Sequence, residues 1–246
     1  MTETPYQIVA PDAPSRWLVT CDHATNRVPG WIGGGSLGIA AEDMARHIAL
    51  DVGAAGLTRA LAARLDAPAI LSDFSRLVID PNRGEDDPTL VMRLYDGTVV
   101  PANRGITRDG IAERLERLYR PYHAAYSRLA AAHPRRAICA IHSFTPRLRG
   151  RPARPWQVGI LYSQRDERLA GPLIAACRAA GWVTGNNQPY AGHLDGDSID
   201  RHALALGRPN VLIEVRNDLI ADEAGQREWA ARLAPVIARL LESNGL

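Results

Sequence analysis

Apolar residues along this chain come in short unbroken runs that stop at polar, chemically capable side chains. The first run, Arg16–Cys21, ends in Asp22, His23 and Asn26 before Pro29 and Gly30 turn the chain. An apolar run of this length without alternation reads as a strand buried on both faces. The same texture predicts strands at Pro68–Leu71, Leu77–Ile79, Ala137–Ile141, Val158–Tyr162, Trp182–Thr184 and Asn210–Ile213. Helical spacing of apolar positions predicts helices at Ala41–His47, at Gly53–Leu65 and from a cap at Asp109 through Leu129 with a kink at Pro121. Two more are predicted at Arg165–Ala180, closed by Gly181, and at Asp222–Glu242 around Pro235. Strands alternating with helices imply an α/β fold: a single domain over residues 1–246, with a central mixed, mostly parallel sheet covered on both faces.

Three segments break the pattern. Gly30–Ser36 is Gly-rich but lacks the Lys-Ser/Thr of a P-loop and does not join a strand to a helix, so it reads as a mobile loop, not a phosphate cradle. Gly84–Arg108 reads as a long irregular excursion. Gly185–Ala203 reads as a polar loop carrying Tyr190, His193, Asp195, Asp197 and His202. A fourth, Arg147–Pro155, is a basic, Pro-rich surface loop.

Composition narrows the class. With 246 residues, 46% hydrophobic and 23% charged, the chain can bury one sizeable core. The 29 basic and 27 acidic residues are interspersed, leaving no basic stripe of the kind nucleic-acid binding requires. Three widely spaced cysteines, Cys21, Cys139 and Cys177, fit neither a disulfide framework nor a Cys-rich zinc finger. The N-terminus has no signal-peptide pattern and no apolar run approaches a membrane span, so a cytoplasmic protein with no membrane partner is expected. Nothing in the chain points to a particular oligomeric state.

The ends of parallel strands share one sheet edge, so His23, Arg83, His142 and Glu214 can converge there although they are far apart in sequence. Two imidazoles on separate strands make half of a zinc site, and a hydrolytic zinc needs about three protein ligands with one position open. Glu214, directly after Val211-Leu-Ile213, is a carboxylate at the exit of a central strand, suited to act as general base. Arg76, Arg83 and Arg216 offer fork-shaped donors for an anionic substrate. Tyr190 and His193 are expected to line the pocket. Cys21 reads as a small buried apolar group.

Four motifs together, His23-Ala-Thr-Asn26, Ser75-Arg-Leu-Val-Ile-Asp-Pro-Asn-Arg83, His142-Ser-Phe-Thr-Pro146 and Ile213-Glu-Val-Arg-Asn-Asp-Leu219, resemble the N-formylglutamate amidohydrolase family from about residue 16 to 240. That family is similar to the zinc carboxypeptidases and aspartoacylase-type deacylases. The resemblance implies one zinc per chain at His23 and His142, Glu214 as general base, Asn82 and Arg83 holding the substrate carboxylate, and Arg76 polarising the scissile carbonyl. It implies hydrolysis of an N-formyl or N-acyl amino acid, a small anionic substrate. The wider carboxypeptidase-like pattern is His-x-x-Glu, whereas this chain has His23-x-x-Asn26. Either Asn26 coordinates through its oxygen, or Asp22 swings in, or water fills the position; strand alternation favours Asn26, with Asp22 behind the ligands. A carboxypeptidase- or amidase-like hydrolase on peptide fragments and a non-catalytic binding protein that has lost its metal are the alternatives.

Overall fold

The computed structural model describes residues 4–192 and 194–246. Nine strands are present among them: β1 (Tyr6–Val9), β2 (Trp17–Cys21), β3 (Ala69–Ser72), β4 (Leu94–Tyr95), β5 (Thr98–Val99), β6 (Ala137–Phe144), β7 (Val158–Leu161), β8 (Thr184–Asn186) and β9 (Asn210–Arg216). Seven of them build one sheet in the order β1-β3-β2-β6-β9-β7-β8, and β4 and β5 form a separate hairpin. Strands β3, β2, β6 and β9 run parallel, whereas β1 and the β7–β8 pair run against them. The mixed, mostly parallel sheet expected from the alternating pattern is therefore present.

All eight residues of β6 are buried, as befits a central strand covered on both faces. Side chains alternate between faces. On one face Val19, Cys139, Ile141, Val211 and Ile213 pack with the helices Ala54–Leu65, Ala170–Ala179 and Glu223–Leu240. On the other, Leu18, Ile138, Ala140 and Leu212 pack against Tyr122 and Tyr126 of the helix Arg120–Ala131 and against Phe74 and Leu77 to Ile79. By the same parity His142 and Glu214 continue this second face, and the β6–β9 register sets them side by side.

The helices form where propensity and caps agree. Asp222 caps Glu223–Leu240 by accepting from Gly225 N (2.8 Å), and Trp229, Leu233, Ile237 and Leu240 make its buried stripe. Thr107, not Asp109, caps the helix Arg108–Arg114: its hydroxyl accepts from Gly110 N. The bend expected at Pro121 is realised one turn earlier, as a π-helical turn over Leu115–Tyr119 that leaves Pro121 in the first turn of Arg120–Ala131.

Several boundaries differ from the expectation. Leu77–Ile79 is not a strand; it is a fully buried turn in which Ser75 accepts from Leu77 N and Val78 N, so its apolar run reports burial, not extension. Strand β8 begins at Thr184, the last residue of the expected Trp182–Thr184 strand, with Trp182 packed instead on Trp229 at 5.4 Å between ring centroids. Helix Ala170–Ala179 starts later than Arg165 because Ser163 to Arg168 is held in turns by side-chain bonds from Ser163 and Asp166. Only Ala41–Met44 of the expected Ala41–His47 helix forms. The stretch Gly84–Arg108 holds the β4–β5 hairpin, closed by Asp96 and Gly97 in left-handed conformation, and the helix Pro101–Arg104. The edge strand β1, half-buried, escaped the reading of the sequence.

Candidate active site

The site forms at the C-terminal ends of β2, β6 and β9: His23 lies just past β2, and His142 and Glu214 sit side by side near the ends of β6 and β9. A fourth side chain, Asp51, enters from the turn before the helix Ala54–Leu65. Its backbone N–H donates to His23 O (2.9 Å) and its carbonyl accepts from Ala54 N (3.0 Å), so the turn is tied to the exit of β2. Asp51 Oδ2 then lies 3.3 Å from His23 Nδ1 and 2.8 Å from His142 Nδ1. The two imidazole rings meet edge-on, 5.1 Å between centroids. Donor atoms of His23, Asp51 and His142 all lie within 4.8 Å of one another, and all three residues are buried.

The outer nitrogens are also provided for. His23 Nε2 lies 2.7 Å from Asp80 Oδ1, the same oxygen that accepts from Asn82 N at 2.9 Å and so shapes the Asp80-Pro81 turn. His142 Nε2 faces Asp22 Oδ2 at 3.7 Å, and Asp22 Oδ1 accepts from Tyr122 OH at 2.6 Å. Carboxylates behind both imidazoles fix the ring orientation that turns each Nδ1 inward, the arrangement by which proteins hold histidine ligands to a cation. Arg76 reaches across to Asp51 Oδ1 (3.2 Å) and Asp80 Oδ2 (3.0 Å).

Charge in this space is unbalanced. Asp22, Asp51, Asp80 and Glu214 are all buried, and among the described residues Arg76 is the arginine bonded into the group. Burial alone would raise the Asp80 carboxyl, but Arg76 and His23 outweigh it and hold it well below the usual range. Glu214 goes the other way: burial, reinforced by the Asp51 charge, pushes it up to about 7 against the pull of His142 and Arg76. Glu214 Oε2 is buried with no hydrogen-bond partner among the described residues. Two imidazoles and a carboxylate converging on one point, with surplus negative charge around them, are a donor set that fits a divalent metal such as zinc.

The residues singled out from the sequence fall into three groups. His23, His142, Glu214, Arg76, Asn82, Arg83 and Tyr190 line one cavity of about 130 Å³, together with Asp51 and Asp197. Asn82 Oδ1 accepts from Ser198 N (3.2 Å), and Arg83 donates to Thr89 Oγ1 and to Asn82 O. Tyr190 stands at the mouth with the Arg154 guanidinium over its ring, 4.9 Å from the centroid. Asn26 and Arg216 are elsewhere: Asn26 is exposed and its amide donates to Met44 O (2.8 Å), while Arg216 pairs with Asp218 (2.7 Å). The chain leaves strand geometry at Asp22, so the short-range alternation that favoured Asn26 ceases to apply beyond that point. His193 lies outside the described residues. Cys21 is fully buried, and burial pushes its thiol up, in keeping with an apolar role.

Asp51 is the site residue that sequence reasoning missed. Its one local signal is an acid between the apolar Ile48-Ala-Leu50 and the helix-opening Gly53, a place where a plain N-terminal acid is common.

Residues 15–221 match the family model described as N-formylglutamate amidohydrolase. The chain belongs to the N-formylglutamate amidohydrolase family. A crystal structure of a gene product from Agrobacterium tumefaciens superposes with a TM-score of 0.91 at 32% identity, over 98% of this chain and 96% of that one. The N-formylglutamate amidohydrolase from Ralstonia eutropha JMP134 superposes with a TM-score of 0.71 at 21% identity, over 98% of each chain, and so shares the fold. No curated protein matches this sequence. Family membership makes the chain an amidohydrolase-type protein, and the His23–Asp51–His142 cluster is consistent with a metal site.

Proposed function

We propose that the protein is a zinc-dependent amidohydrolase that cleaves the amide bond of an N-formyl or N-acyl amino acid, with His23, Asp51 and His142 as metal ligands and Glu214 as general base. The observation that carries this reading is the convergence of two imidazole Nδ1 atoms on one Asp51 oxygen beside the buried Glu214 carboxylate, whose Oε2 has no hydrogen-bond partner among the described residues. One zinc in that cluster would supply Lewis acidity toward the scissile carbonyl and toward water.

The chain's own residues do the rest. Asn82 and Arg83 hold the substrate carboxylate, Arg83 through a planar, permanently charged fork. That contact sets the amide against the cluster, converting a bimolecular encounter into an oriented one. Glu214 takes a proton from the attacking water and delivers it to the departing nitrogen; a carboxyl held near 7 can do both at neutral pH. Arg76 places positive charge where the carbonyl oxygen turns negative, and Tyr190 closes the mouth.

A metal-free binding protein was the consequence of reading Asn26 as a weak ligand. Asp51 supplies the missing carboxylate, which argues against that alternative.

The test is Glu214→Gln, which keeps shape and removes the base. Formate release from N-formylglutamate by the zinc-loaded protein should fall about 10²- to 10⁴-fold, while bound zinc per chain stays at the wild-type level. Turnover near wild type in this variant would remove Glu214 from the mechanism.

A further inference from the structure

Beside the active-site cavity lies a second, larger one of about 550 Å³, and the two have His47 and Thr145 in common. Asn82 and Arg83 line the first alone. If they hold the substrate carboxylate, as the proposed function has it, the acyl group is the part of the substrate left to approach the neck that His47 and Thr145 form between the two cavities. A formyl group, one carbon long, has no use for such an extension.

The chemistry of the second cavity is set by the Arg147–Pro155 loop. Arg46, Arg147 and Arg149 line it, with Asp96 and Asp218 as its acids. Asp96 is bound by Arg46 at 2.7 Å, and Asp218 by Arg216 at 2.7 Å. Arg147 is positioned by its own loop, Nε donating to Arg151 O at 2.8 Å. Among the described residues neither Arg147 nor Arg149 has a carboxylate within ion-pair distance, and both are exposed. Among the described residues the guanidinium groups of Arg147 and Arg149 are thus left without a salt bridge at the end of the neck, Arg149 acting on the Arg46-paired Asp43 only beyond ion-pair distance. Such groups favour a carboxylate, which each can bind through two parallel N–H donors.

We infer that the preferred substrate carries an anionic group on its acyl side, a dicarboxylic acyl group whose free carboxylate reaches Arg147 and Arg149 through the His47–Thr145 neck. This rests on the amidohydrolase reading and extends it from the amino-acid half of the substrate to the acyl half. The reaction is ordinary hydrolysis: water oxygen joins the acyl carbon, the C–N bond breaks, and the nitrogen departs with a proton from water. An N-glutaryl amino acid would yield glutarate and the free amine.

The experiment compares kcat/KM of the zinc-loaded protein for N-glutarylglutamate, N-pentanoylglutamate and N-formylglutamate. The first two match in acyl length and differ in one carboxylate. The expected result is glutaryl over pentanoyl by about tenfold at low salt, shrinking as ionic strength rises. In R147Q/R149Q that ratio falls toward one, whereas R151Q, an exposed arginine of the same loop outside the cavity, keeps it. Hydrolysis of the formyl and pentanoyl substrates with no advantage for glutaryl, or an advantage that survives R147Q/R149Q, overturns the inference and leaves the amidohydrolase reading standing. No hydrolysis of any of the three by protein with zinc bound overturns both.

Discussion

Four buried carboxylates within one site cost far more than a fold of this size can absorb unless positive charge comes with them. Arg76 provides one such charge, bonded to Asp51 and Asp80. Asp51 is where the demands meet, since one oxygen faces both imidazoles and the other accepts from Arg76. The carboxylates also hold His142 well above the usual imidazole range, and a cation held by His23, Asp51 and His142 would add further positive charge. The loss expected of Glu214→Gln belongs to the same scale, because Glu214 is the one member of the group whose protonation sits near neutrality. His23, His142 and Glu214 could be picked out in the sequence because each stands where an apolar run gives way to polar residues, a place where an ionisable residue needs a purpose. Asp51 was not, because what brings it in is a backbone hydrogen bond to His23 O across 28 positions, and no local pattern encodes that. Asn26 was misplaced for the complementary reason: strand alternation was carried past the end of the strand.

At the scale of elements, the close approach of β7 to the loop before Tyr190 shapes the cavity wall. Gly159 pairs with Glu214 across β7–β9, and a Cβ on it would come within 2.1 Å of Gln188 O. Gly159→Ala should therefore push the Gln188–Tyr190 loop outward, lowering thermal stability by about 1–3 kcal/mol and weakening substrate binding more than turnover. A variant with wild-type melting temperature and KM would contradict this. The central strands and the longer helices were legible because hydrophobic runs are local. The Leu77–Ile79 segment was not, since an apolar run reports burial whichever backbone shape delivers it. The β4–β5 hairpin carried its signal openly in Asp96-Gly97, but two-residue strands leave little hydrophobic pattern around it.

For the whole molecule, the second face of the sheet buries a polar pair behind the Asp80-Pro81 turn: His123 Nδ1 lies 2.8 Å from His202 Nε2, its Nε2 lies 3.0 Å from Pro81 O, and Tyr126 stacks on His202 at 3.8 Å. Burial pushes His123 down to about 4 and His202 down to about 3, with Arg201 adding to the first and His123 to the second. Both are neutral in the fold, whereas in the unfolded chain each takes up a proton near pH 6.5. Between pH 6.5 and about 4 the unfolded state thus binds more protons, so this pair costs stability as pH falls and nothing above neutrality. The urea midpoint should drop from pH 7 to pH 5, and the stability gap between wild type and H202Q should narrow over the same range. A gap that widens on acidification would show that the pair is charged in the fold. Among the described residues no helix is long and apolar enough to cross a membrane. The mixed sheet with helices on both faces was the most legible level of all, because it follows from element order alone.

The central claim is that Asp51, with His23 and His142, completes a metal site. The direct measurement is elemental analysis of zinc per chain after equilibration with zinc and removal of the excess, for wild type, D51N and N26A. About one zinc in wild type and N26A, with most of it lost in D51N, is the predicted result. Zinc retained in D51N and lost in N26A would contradict it and return the third ligand to the position that the sequence alone first suggested.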